Sequence, residues 1–353
     1  MINSLRMQNF RSYKDESFEF EPGVNIIVGP NTSGKTNLLE ALMMLALGNS
    51  YRGATSEMIG FNKPWARLDG HTPDGQRTVK LETQGGLVKK SFEINGLVFS
   101  RLSQQKSIPT VLFEPQHLQL LTGRPELRRD YLDNLLGQTI AGYSGLARSY
   151  RRALLQRNNL LKKGPQTKSQ LFAWDIRLSE LGGQIAGYRH ELVANQNKQI
   201  TKLYQKLSNS RAKVEPHYIS SCPPQNYSSK LLHKLETSTE QDYARGFTTY
   251  GPHRDDLGVI IDGHNAQEMA SRGEARTVVL ALKILELKSL QEARGQKPLL
   301  LLDDVFSELD GARRRALTGF LEDYQTFITT TDADVVAHNF AQKCNIIPIE
   351  KPQ

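Results

Sequence analysis

The hydrophobic pattern of the first 113 residues predicts short β-strands and one long helix. Apolar residues alternate or cluster in short runs, and Gly and Asn turns separate these runs, as expected for strands of a sheet. The helix is predicted over 36–45, which is rich in Leu, Met and Ala and directly follows an apolar β-rich run. The strand candidates are 2–10, 17–20, 24–28, 77–82, 87–94, 97–100 and 108–113.

The pattern becomes helical after residue 113. Pro125 can open a helix, a second is predicted over about 140–163, and a third begins near Ser169. In the third helix, apolar residues recur at steps of three and four from Leu171 to Leu192. A coiled-coil seam of about three heptads would give this pattern, but a helix packed in a local bundle is the simpler interpretation.

Strand and turn patterns return near Tyr250. Strands are predicted at 257–261, 298–304 and 326–329, and a long helix from Arg272 to about residue 292. Strands and helices at both ends of the chain favour one α/β domain built from residues 1–113 and 246–353. Residues 114–245 would then be a mainly helical insertion.

Composition narrows the class of protein. A chain of 353 residues with 38% hydrophobic residues can bury one large core or two. No apolar run approaches the roughly 20 residues that span a membrane, and the N-terminus lacks the pattern of a signal peptide. Cys222 and Cys344 are isolated in the sequence, which fits a reducing compartment. We therefore expect a cytoplasmic protein without a membrane partner.

Positive charge is concentrated in one segment. The net charge is +8, and residues 124–168 hold ten Lys or Arg against three acidic residues. Such a cluster predicts a polyanionic partner such as nucleic acid, although a solvated helix face gives the same pattern. The basic residues of the segment are Arg124, Arg128, Arg129, Arg148, Arg151, Arg152, Arg157, Lys162, Lys163 and Lys168.

The strongest chemical signal is the run Gly29-Pro30-Asn31-Thr32-Ser33-Gly34-Lys35-Thr36, which fits the phosphate-loop pattern G-x-x-x-x-G-K-[ST]. A strand precedes the run and a helix follows it, so backbone N–H groups and the helix dipole would surround an anion. We expect all eight residues to bind ATP. Lys35 would hold the β- and γ-phosphates as a catalytic residue, and the Thr36 hydroxyl would ligate Mg²⁺.

An apolar strand that ends in two carboxylates, Asp303 and Asp304, is the partner that a phosphate loop requires. We expect Asp303 to hold Mg²⁺ beside Thr36. Asp304 would orient or deprotonate the attacking water as a second catalytic residue. Solvent-exposed acids at a strand end are the alternative, and Asp is one methylene shorter than the Glu often found in this role.

Two further motifs resemble those of the ABC ATPase superfamily. Ser271, Gly273 and Glu274 open a helix about 26 residues before the acidic strand, in the position of the signature that senses the γ-phosphate. Taken alone, Ser271 and Glu274 form a capping box. Asp310 ends the run Ser307-Glu308-Leu309-Asp310, which resembles the D-loop, although a helix cap before Gly311 would also explain it.

The order of these motifs implies a dimer. One chain carries one phosphate loop and one signature, and in ABC-type ATPases the signature caps the ATP of a second chain. The resemblance therefore implies an ABC-type ATPase head, lobe I, with an inserted helical lobe II. Two such chains would form a two-fold dimer with two sandwiched ATPs.

Longer runs resemble the RecF family of bacterial DNA recombination and repair ATPases. The interval of 236 residues from Lys35 to Ser271 is too short for the coiled-coil arms of SMC proteins. The matching runs are Asn9-Phe10-Arg11-Ser12-Tyr13, Pro22-Gly23-Val24-Asn25, Gly34-Lys35-Thr36-Asn37-Leu38-Leu39-Glu40-Ala41, Arg128-Arg129-Asp130-Tyr131-Leu132-Asp133, Trp174-Asp175, Gly251-Pro252-His253-Arg254-Asp255-Asp256-Leu257, Leu302-Asp303-Asp304-Val305-Phe306-Ser307-Glu308-Leu309-Asp310 and Thr329-Thr330-Thr331-Asp332.

The resemblance implies a weak, DNA-stimulated ATPase that dimerises with ATP on DNA at single-strand/double-strand gap junctions. It also implies work with RecO and RecR to load RecA, and roles in replication maintenance and the SOS response. Asn31 and Arg11 become candidate neighbours of the nucleotide. Clustered arginines would give salt-sensitive, sequence-independent DNA binding. The candidates for phosphate contact are Arg128, Arg129, Arg148, Arg151 and Arg152.

Some positions depart from the family pattern. Thr32 replaces a common Gly, Glu274 replaces Gln, and Gln116-His117 replaces an acidic pair, with the Gln116 region a candidate Q-loop. A RecF-like ATPase with another role, a P-loop small-molecule kinase and a non-hydrolysing scaffold remain alternatives. A fused nuclease is not expected, because 21 residues follow Asp332.

Overall fold

The computed structural model describes residues 1–333, 336, 338, 340 and 344–350. Its internal contacts divide the chain into two compact units. Unit 1 consists of Met1–His117 and Glu286–Gln353, and unit 2 consists of Leu118–Leu285.

The strands are β1 (Ser4–Phe10), β2 (Tyr13–Glu19), β3 (Val24–Val28), β4 (Trp65–Thr72), β5 (Gly75–Gln84), β6 (Leu87–Ile94), β7 (Leu97–Phe99), β8 (Thr110–Phe113), β9 (Val214–Ile219), β10 (Asp256–Ile261), β11 (His264–Asn265), β12 (Leu299–Asp303), β13 (Thr326–Thr330) and β14 (Asn345–Pro348). The α-helices are α1 (Lys35–Leu47), α2 (Pro125–Thr139), α3 (Tyr143–Lys163), α4 (Lys168–Ser208), α5 (Tyr227–Thr237), α6 (Thr239–Arg245), α7 (Ala266–Met269), α8 (Arg272–Arg294), α9 (Val305–Glu308) and α10 (Gly311–Leu321). Short 3₁₀ turns lie at Thr55–Met58, Gln104–Lys106, Pro115–Gln119 and Pro165–Thr167.

Unit 1 contains an antiparallel and a parallel sheet. The antiparallel sheet has the strand order β2-β1-β4-β5-β6-β7, and the parallel sheet has the order β14-β3-β13-β12-β8. Every residue of β12 and β13 is buried, as expected for a parallel sheet covered on both faces. Leu38, Leu39 and Leu42 of α1 are fully buried in the core of this unit. The carboxyl ends of β3, β12 and β13 therefore meet where α1 begins.

Unit 2 is mainly helical, with a small antiparallel sheet of order β11-β10-β9. Helix α4 packs against α3, α5 and β9. Leu178, Leu181 and Ile185 of α4 are buried in the core of this unit, so the local-bundle interpretation of the 171–192 pattern is confirmed.

Charged side chains also lie inside unit 2. Arg157 has no exposed surface, and its guanidinium pairs with Asp175 at 2.5 Å and Asp242 at 2.6 Å. Removing one partner of such a buried pair would leave an uncompensated charge, which costs about 3–5 kcal/mol. Arg157 therefore belongs to the interior of unit 2 and does not add to the surface charge that the sequence predicts.

The sequence pattern located most elements within a few residues. Strands β3 and β6 have the predicted bounds, and α8 begins at Arg272 as predicted. Strands β4, β9, β11 and β14 were not predicted. Among the described residues, no helix is long and apolar enough to cross a membrane.

The second boundary of the insertion differs from the prediction. It was expected near residue 245, but the contacts place it between Leu285 and Glu286, inside α8. Strand β10 pairs with β9, and the Tyr131 hydroxyl of α2 donates to the Leu282 carbonyl of α8 at 3.2 Å. These contacts keep residues 256–285 in unit 2.

Candidate nucleotide site

Two glycines allow the phosphate loop to turn tightly between β3 and α1. Gly34 has a φ of +106°, and a Cβ added there would lie 3.0 Å from the Tyr13 hydroxyl oxygen. A Cβ added at Gly29 would lie 2.4 Å from the Ile349 carbonyl oxygen. Neither position accepts a side chain without a shift of its neighbours, because both distances are at or below the limit for a real Cβ contact.

Lys35 lies against the loop that precedes it. Its Nζ donates to the carbonyl oxygens of Gly29 at 2.8 Å and Pro30 at 3.1 Å, and the residue is 5% exposed. The ammonium is thus fixed within the loop, where it can exchange these carbonyls for phosphate oxygens. Ser33 is buried, and its hydroxyl has no hydrogen-bond partner among the described residues. Asn31 and Thr32 are exposed at the loop tip.

Thr32 adopts a left-handed backbone conformation, with a φ of +70°. A β-branched residue is rarely found there, because its Cβ crowds the following carbonyl. The Thr32 hydroxyl donates to the Asn31 carbonyl at 2.5 Å, which ties the side chain to its own loop. The departure of Thr32 from glycine thus falls at a position where the backbone favours glycine.

Replacing Thr32 with glycine is expected to raise the free energy of unfolding by about 1 kcal/mol. The left-handed conformation costs an L-residue about 1–2 kcal/mol in the folded loop, and glycine removes this cost but gains some freedom in the unfolded chain. Chemical denaturation without nucleotide would measure the change. Thr32→Ala is the matched control, because alanine removes the hydroxyl and the branching but keeps the Cβ. Equal free energies of unfolding for the Gly and Ala variants would contradict the explanation.

Asp303 ends β12 beside the start of α1. One carboxylate oxygen, Oδ1, accepts hydrogen bonds from the Thr36 hydroxyl at 3.0 Å and the Thr329 hydroxyl at 2.8 Å. The structure therefore brings together the two predicted metal ligands. Thr36 and Asp303 offer hard oxygen donors of the kind that Mg²⁺ prefers. In the part of the chain that the structure describes, no group of three or more His, Cys, Asp or Glu side chains could hold a metal by itself. Phosphate oxygens and water would complete the coordination.

Thr329 was missed as a site residue. Thr329 lies on β13 and pairs in register with Asp303 of the neighbouring strand β12. Its hydroxyl donates to the Asp303 carboxylate and accepts the backbone N–H of Asp304 at 2.9 Å. One side chain thus positions both acids. The available signal was a threonine at the end of an apolar strand, but the pairing of that strand was not known.

Asp304 also has a left-handed backbone, with a φ of +52°. Burial raises the pKa of its carboxyl group, the Lys35 ammonium lowers it, and the Asp303 carboxylate raises it further. A raised pKa makes a carboxylate a better proton acceptor. The three predicted functional groups Lys35, Asp303 and Asp304 therefore interact electrostatically at one edge of the sheet.

The turn between β1 and β2 braces the phosphate loop. Arg11 makes a bidentate ion pair with the buried Glu40 of α1, at 2.8 and 2.9 Å. The Tyr13 hydroxyl donates to the Gly34 carbonyl at 3.1 Å, and Asn37 of α1 donates to the Ser12 hydroxyl at 2.9 Å. The Arg11 guanidinium thus attaches the turn to α1, and its contact with nucleotide stays a prediction.

Glu114 and Tyr51 also approach the acidic edge and were missed. Phe113 of β8 pairs with Leu302 of β12, so Glu114 follows beside Asp303. Burial raises the pKa of the Tyr51 phenol, and the carboxylates of Asp303 and Glu114 raise it further. The Gln116 amide donates to Glu114 at 2.8 Å. A Q-loop role for the Gln116 region stays a prediction.

The signature residues lie in unit 2 and form a helix start. The Ser271 N–H donates to the Glu274 carboxylate at 2.8 Å, and the Glu274 N–H donates to the Ser271 hydroxyl at 3.2 Å. The capping box is confirmed. The Ser271 side chain and then the Ser271 backbone N–H lower the pKa of Glu274 by hydrogen-bonding to its carboxylate. Ser271 is exposed, and its hydroxyl takes part in this capping box.

Asp310 caps α10. Its carboxylate accepts the backbone N–H of Arg313 at 2.9 Å and pairs with the Arg313 guanidinium, and the first of these contacts contributes most to its lowered pKa. The helix-cap interpretation is therefore correct. A D-loop role for the same residue stays a prediction.

The structure separates the predicted DNA contacts into two groups. Arg128 is 4% exposed, and its guanidinium is held by the Asp256 carboxylate and three backbone carbonyls. The prediction that Arg128 contacts DNA is therefore wrong, because its guanidinium is buried and already bound to these protein acceptors. Arg129 is also largely covered and binds Glu126 and the Asp255 carbonyl. Arg148, Arg151 and Arg152 are exposed on α3.

Comparisons with known proteins agree over nearly the whole chain. Residues 4–242 match the family described as AAA domain. The DNA replication and repair protein RecF of Lactobacillus acidophilus is 36% identical, over 99% of this chain and 97% of that protein. RecF of Heliobacterium modesticaldum is also 36% identical, over 94% of this chain and 92% of that protein.

Solved structures give the same result. The recombination mediator protein RecF-ATPrS in the RecFOR pathway aligns with a TM-score of 0.88 and 30% identity, over 100% of this chain and 98% of that chain. An SMC head bound to the C-terminal winged-helix domain of ScpA aligns with a TM-score of 0.52 and 16% identity, which bears on the fold alone. The prediction of an ABC-type α/β ATPase head with a helical lobe is confirmed.

Proposed function

The chain belongs to the RecF family of DNA replication and repair proteins, and on that premise we propose that it is a DNA-stimulated ATPase of recombinational repair. ATP would drive its dimerisation on DNA at single-strand/double-strand gap junctions. The observation that carries the proposal is the convergence of the phosphate loop, Thr36, Asp303 and Thr329 at one sheet edge.

In the proposed reaction, different residues of unit 1 bind the phosphates, position the two acids and accept the proton. The loop N–H groups and Lys35 bind the phosphates, since a buried ammonium and a helix start both favour negative charge. Thr329 holds Asp303 and Asp304 in place. Asp304 orients water toward the γ-phosphorus and accepts a proton as ADP leaves. Mg²⁺, held by Thr36 and Asp303, would neutralise charge on the phosphate oxygens.

The signature supports a dimer. Ser271 and Gly273 lie at the start of α8, where the positive end of the helix dipole would attract the γ-phosphate of ATP on a second chain. The capping box orders these groups before the nucleotide arrives. Glu274 contributes through the cap, and Asp310 would link the two sites.

DNA contact is assigned to the exposed face of α3. This helix carries no acidic residue, and Arg148, Arg151 and Arg152 lie exposed on it. Because phosphate neutralisation releases counterions, binding would weaken steeply with salt. By membership of the family, RecO, RecR and RecA would be functional partners in the cytoplasm, with roles in replication and the SOS response.

Light scattering of the native protein is expected to show a doubled mass with ATP and Mg²⁺, and retention of this dimer on gapped DNA at low salt. ADP is the matched control and should leave a monomer. A mass that does not respond to ATP would overturn the dimer. Absence of ATP-dependent retention on gapped DNA would overturn the proposed binding at gap junctions.

A P-loop small-molecule kinase and a non-hydrolysing scaffold are the rival functions. A kinase would not need the ordered signature of α8, and it would show no DNA affinity. A scaffold would bind ATP and dimerise but release no phosphate. Phosphate release measured with and without gapped DNA separates both rivals from the proposal.

A further inference from the structure

An exposed aromatic side chain in unit 2 lies among basic groups. Phe247 is 39% exposed, and the Arg254 guanidinium carbon lies 4.8 Å from its ring centroid. Arg254 itself is exposed, as is Arg245 two residues before Phe247. A Cβ added to Gly246 would lie 3.8 Å from the Lys162 side chain, so this lysine of α3 reaches the same loop. The Arg254 cation thus lies over the ring, and Arg245 and Lys162 belong to the same loop region.

The loop that carries Phe247 is held firmly to α3. Thr248 is 1% exposed, and its N–H and hydroxyl both donate to the Asn158 side chain, at 2.9 and 2.7 Å. His253 bridges the Tyr150 hydroxyl at 2.7 Å and the Thr248 carbonyl at 3.1 Å. Burial lowers the pKa of His253 to about 4, so the ring is neutral in this bridge at neutral pH. Phe247 is therefore presented on an ordered loop.

The position of the loop links Phe247 to the basic face of α3. Asn158 lies seven residues after Arg151, which places both side chains on one edge of the helix. The loop is bonded to this edge through Asn158. Arg151 and the loop of Phe247 therefore lie along the same edge of α3.

We propose that Phe247 stacks with an unpaired base of single-stranded DNA, while Arg254 and Lys162 bind the adjoining backbone phosphates. Duplex bases are covered by their neighbours, whereas single-stranded bases offer a free face to an aromatic ring. An arginine already stacked on the ring adds a cation beside the base. This inference rests on the proposed DNA binding and assigns the single-stranded side of the junction to one loop.

Three DNA probes test the inference with the full-length protein, ATP and Mg²⁺. They are a single-stranded oligodeoxythymidine, a duplex of equal length, and a strand of equal length made of abasic sites. Phe247→Ala should weaken binding of the oligodeoxythymidine about tenfold, because stacking on one base is lost. It should leave the duplex and the abasic strand within twofold. Phe172→Ala is the matched control, since Phe172 of α4 is also an exposed aromatic, at 53% against 39% for Phe247.

Phe247→Trp keeps an aromatic ring and provides a direct signal. It should bind oligodeoxythymidine as the native protein does, with quenching of the new tryptophan that the abasic strand does not produce. Phe172→Trp is the control for this signal, because it shows how much quenching comes from the native Trp65 and Trp174 and from a new tryptophan elsewhere. Arg254→Ala should weaken binding of all three probes. It should also reduce the slope of log binding constant against log salt concentration by about one, because one phosphate contact is lost.

Native affinity for oligodeoxythymidine in Phe247→Ala, or an equal loss for all three probes, would overturn the stacking role. Absence of quenching in Phe247→Trp would overturn it independently of how the alanine variant folds. Failure of the proposed function has a different signature, because the native protein itself would then bind none of the probes.

Discussion

Replacing Lys35 with alanine is expected to lower the affinity for ATP about 100-fold or more. The Lys35 ammonium is buried in the phosphate loop, and truncating one partner of a buried charge pair costs about 2–5 kcal/mol. The hydrogen bonds that Lys35 makes to the Gly29 and Pro30 carbonyls show that it reaches the loop interior without rearrangement. Isothermal titration with ATP and Mg²⁺ measures the loss.

The same variant should fail to dimerise with ATP, since the nucleotide is the proposed link between the chains. Lys63→Ala is the matched control, because Lys63 is an exposed lysine of unit 1 outside the loop. An unchanged melting temperature without nucleotide would show that the fold is intact. Native ATP affinity in Lys35→Ala would mean that this loop is not the nucleotide site.

Replacing Asp304 with asparagine is expected to slow ATP turnover about 100- to 1000-fold while ATP binding persists. Loss of a general base typically costs such a factor. The resulting dimer should stay ATP-bound and remain on gapped DNA. Asparagine is the appropriate substitute because Asp304 has a φ of +52°, a conformation that Asn tolerates well. The change then removes the carboxylate and keeps the backbone.

Single-turnover phosphate release measures this effect, and dissociation from gapped DNA measures the trapped dimer. Asp323→Asn is a suitable control, because Asp323 is an exposed carboxylate at a distance in sequence from the site. Turnover at the native rate in Asp304→Asn would assign the base to another group. Fast turnover combined with fast release would point in the same direction.

The phosphate-loop half of the site could be predicted because its signals are local. A strand, a glycine-rich turn and a helix follow one another in sequence, and β3 has the predicted bounds. Strands β4 and β9 were missed for the opposite reason. Strand β9 pairs with β10, which lies far away in the chain, and β4 pairs with distant β1 on one side and with β5, which follows it directly, on the other.

Contacts between residues far apart in the chain also explain why the site was only partly predicted. Thr329 acts on Asp303 across two parallel strands, and strand order is not visible in local periodicity. The sequence shows that Arg128 is charged but does not show that it is buried. Its ion-pair partner Asp256 lies 128 residues away, so the pair cannot be recognised from local sequence. The sequence shows that Thr32 is unusual in this loop, but its left-handed φ is visible only in the folded structure.

The strand order of the parallel sheet bears on how the chain is made by the ribosome. Strand β13 lies between β3 and β12, so the sheet that carries the phosphate loop lacks its middle until residues 326–330 have left the exit tunnel. Unit 2 is complete by residue 285 and can fold first, as a domain during synthesis. A nascent chain would therefore gain a folded basic unit well before it gains an ATP site.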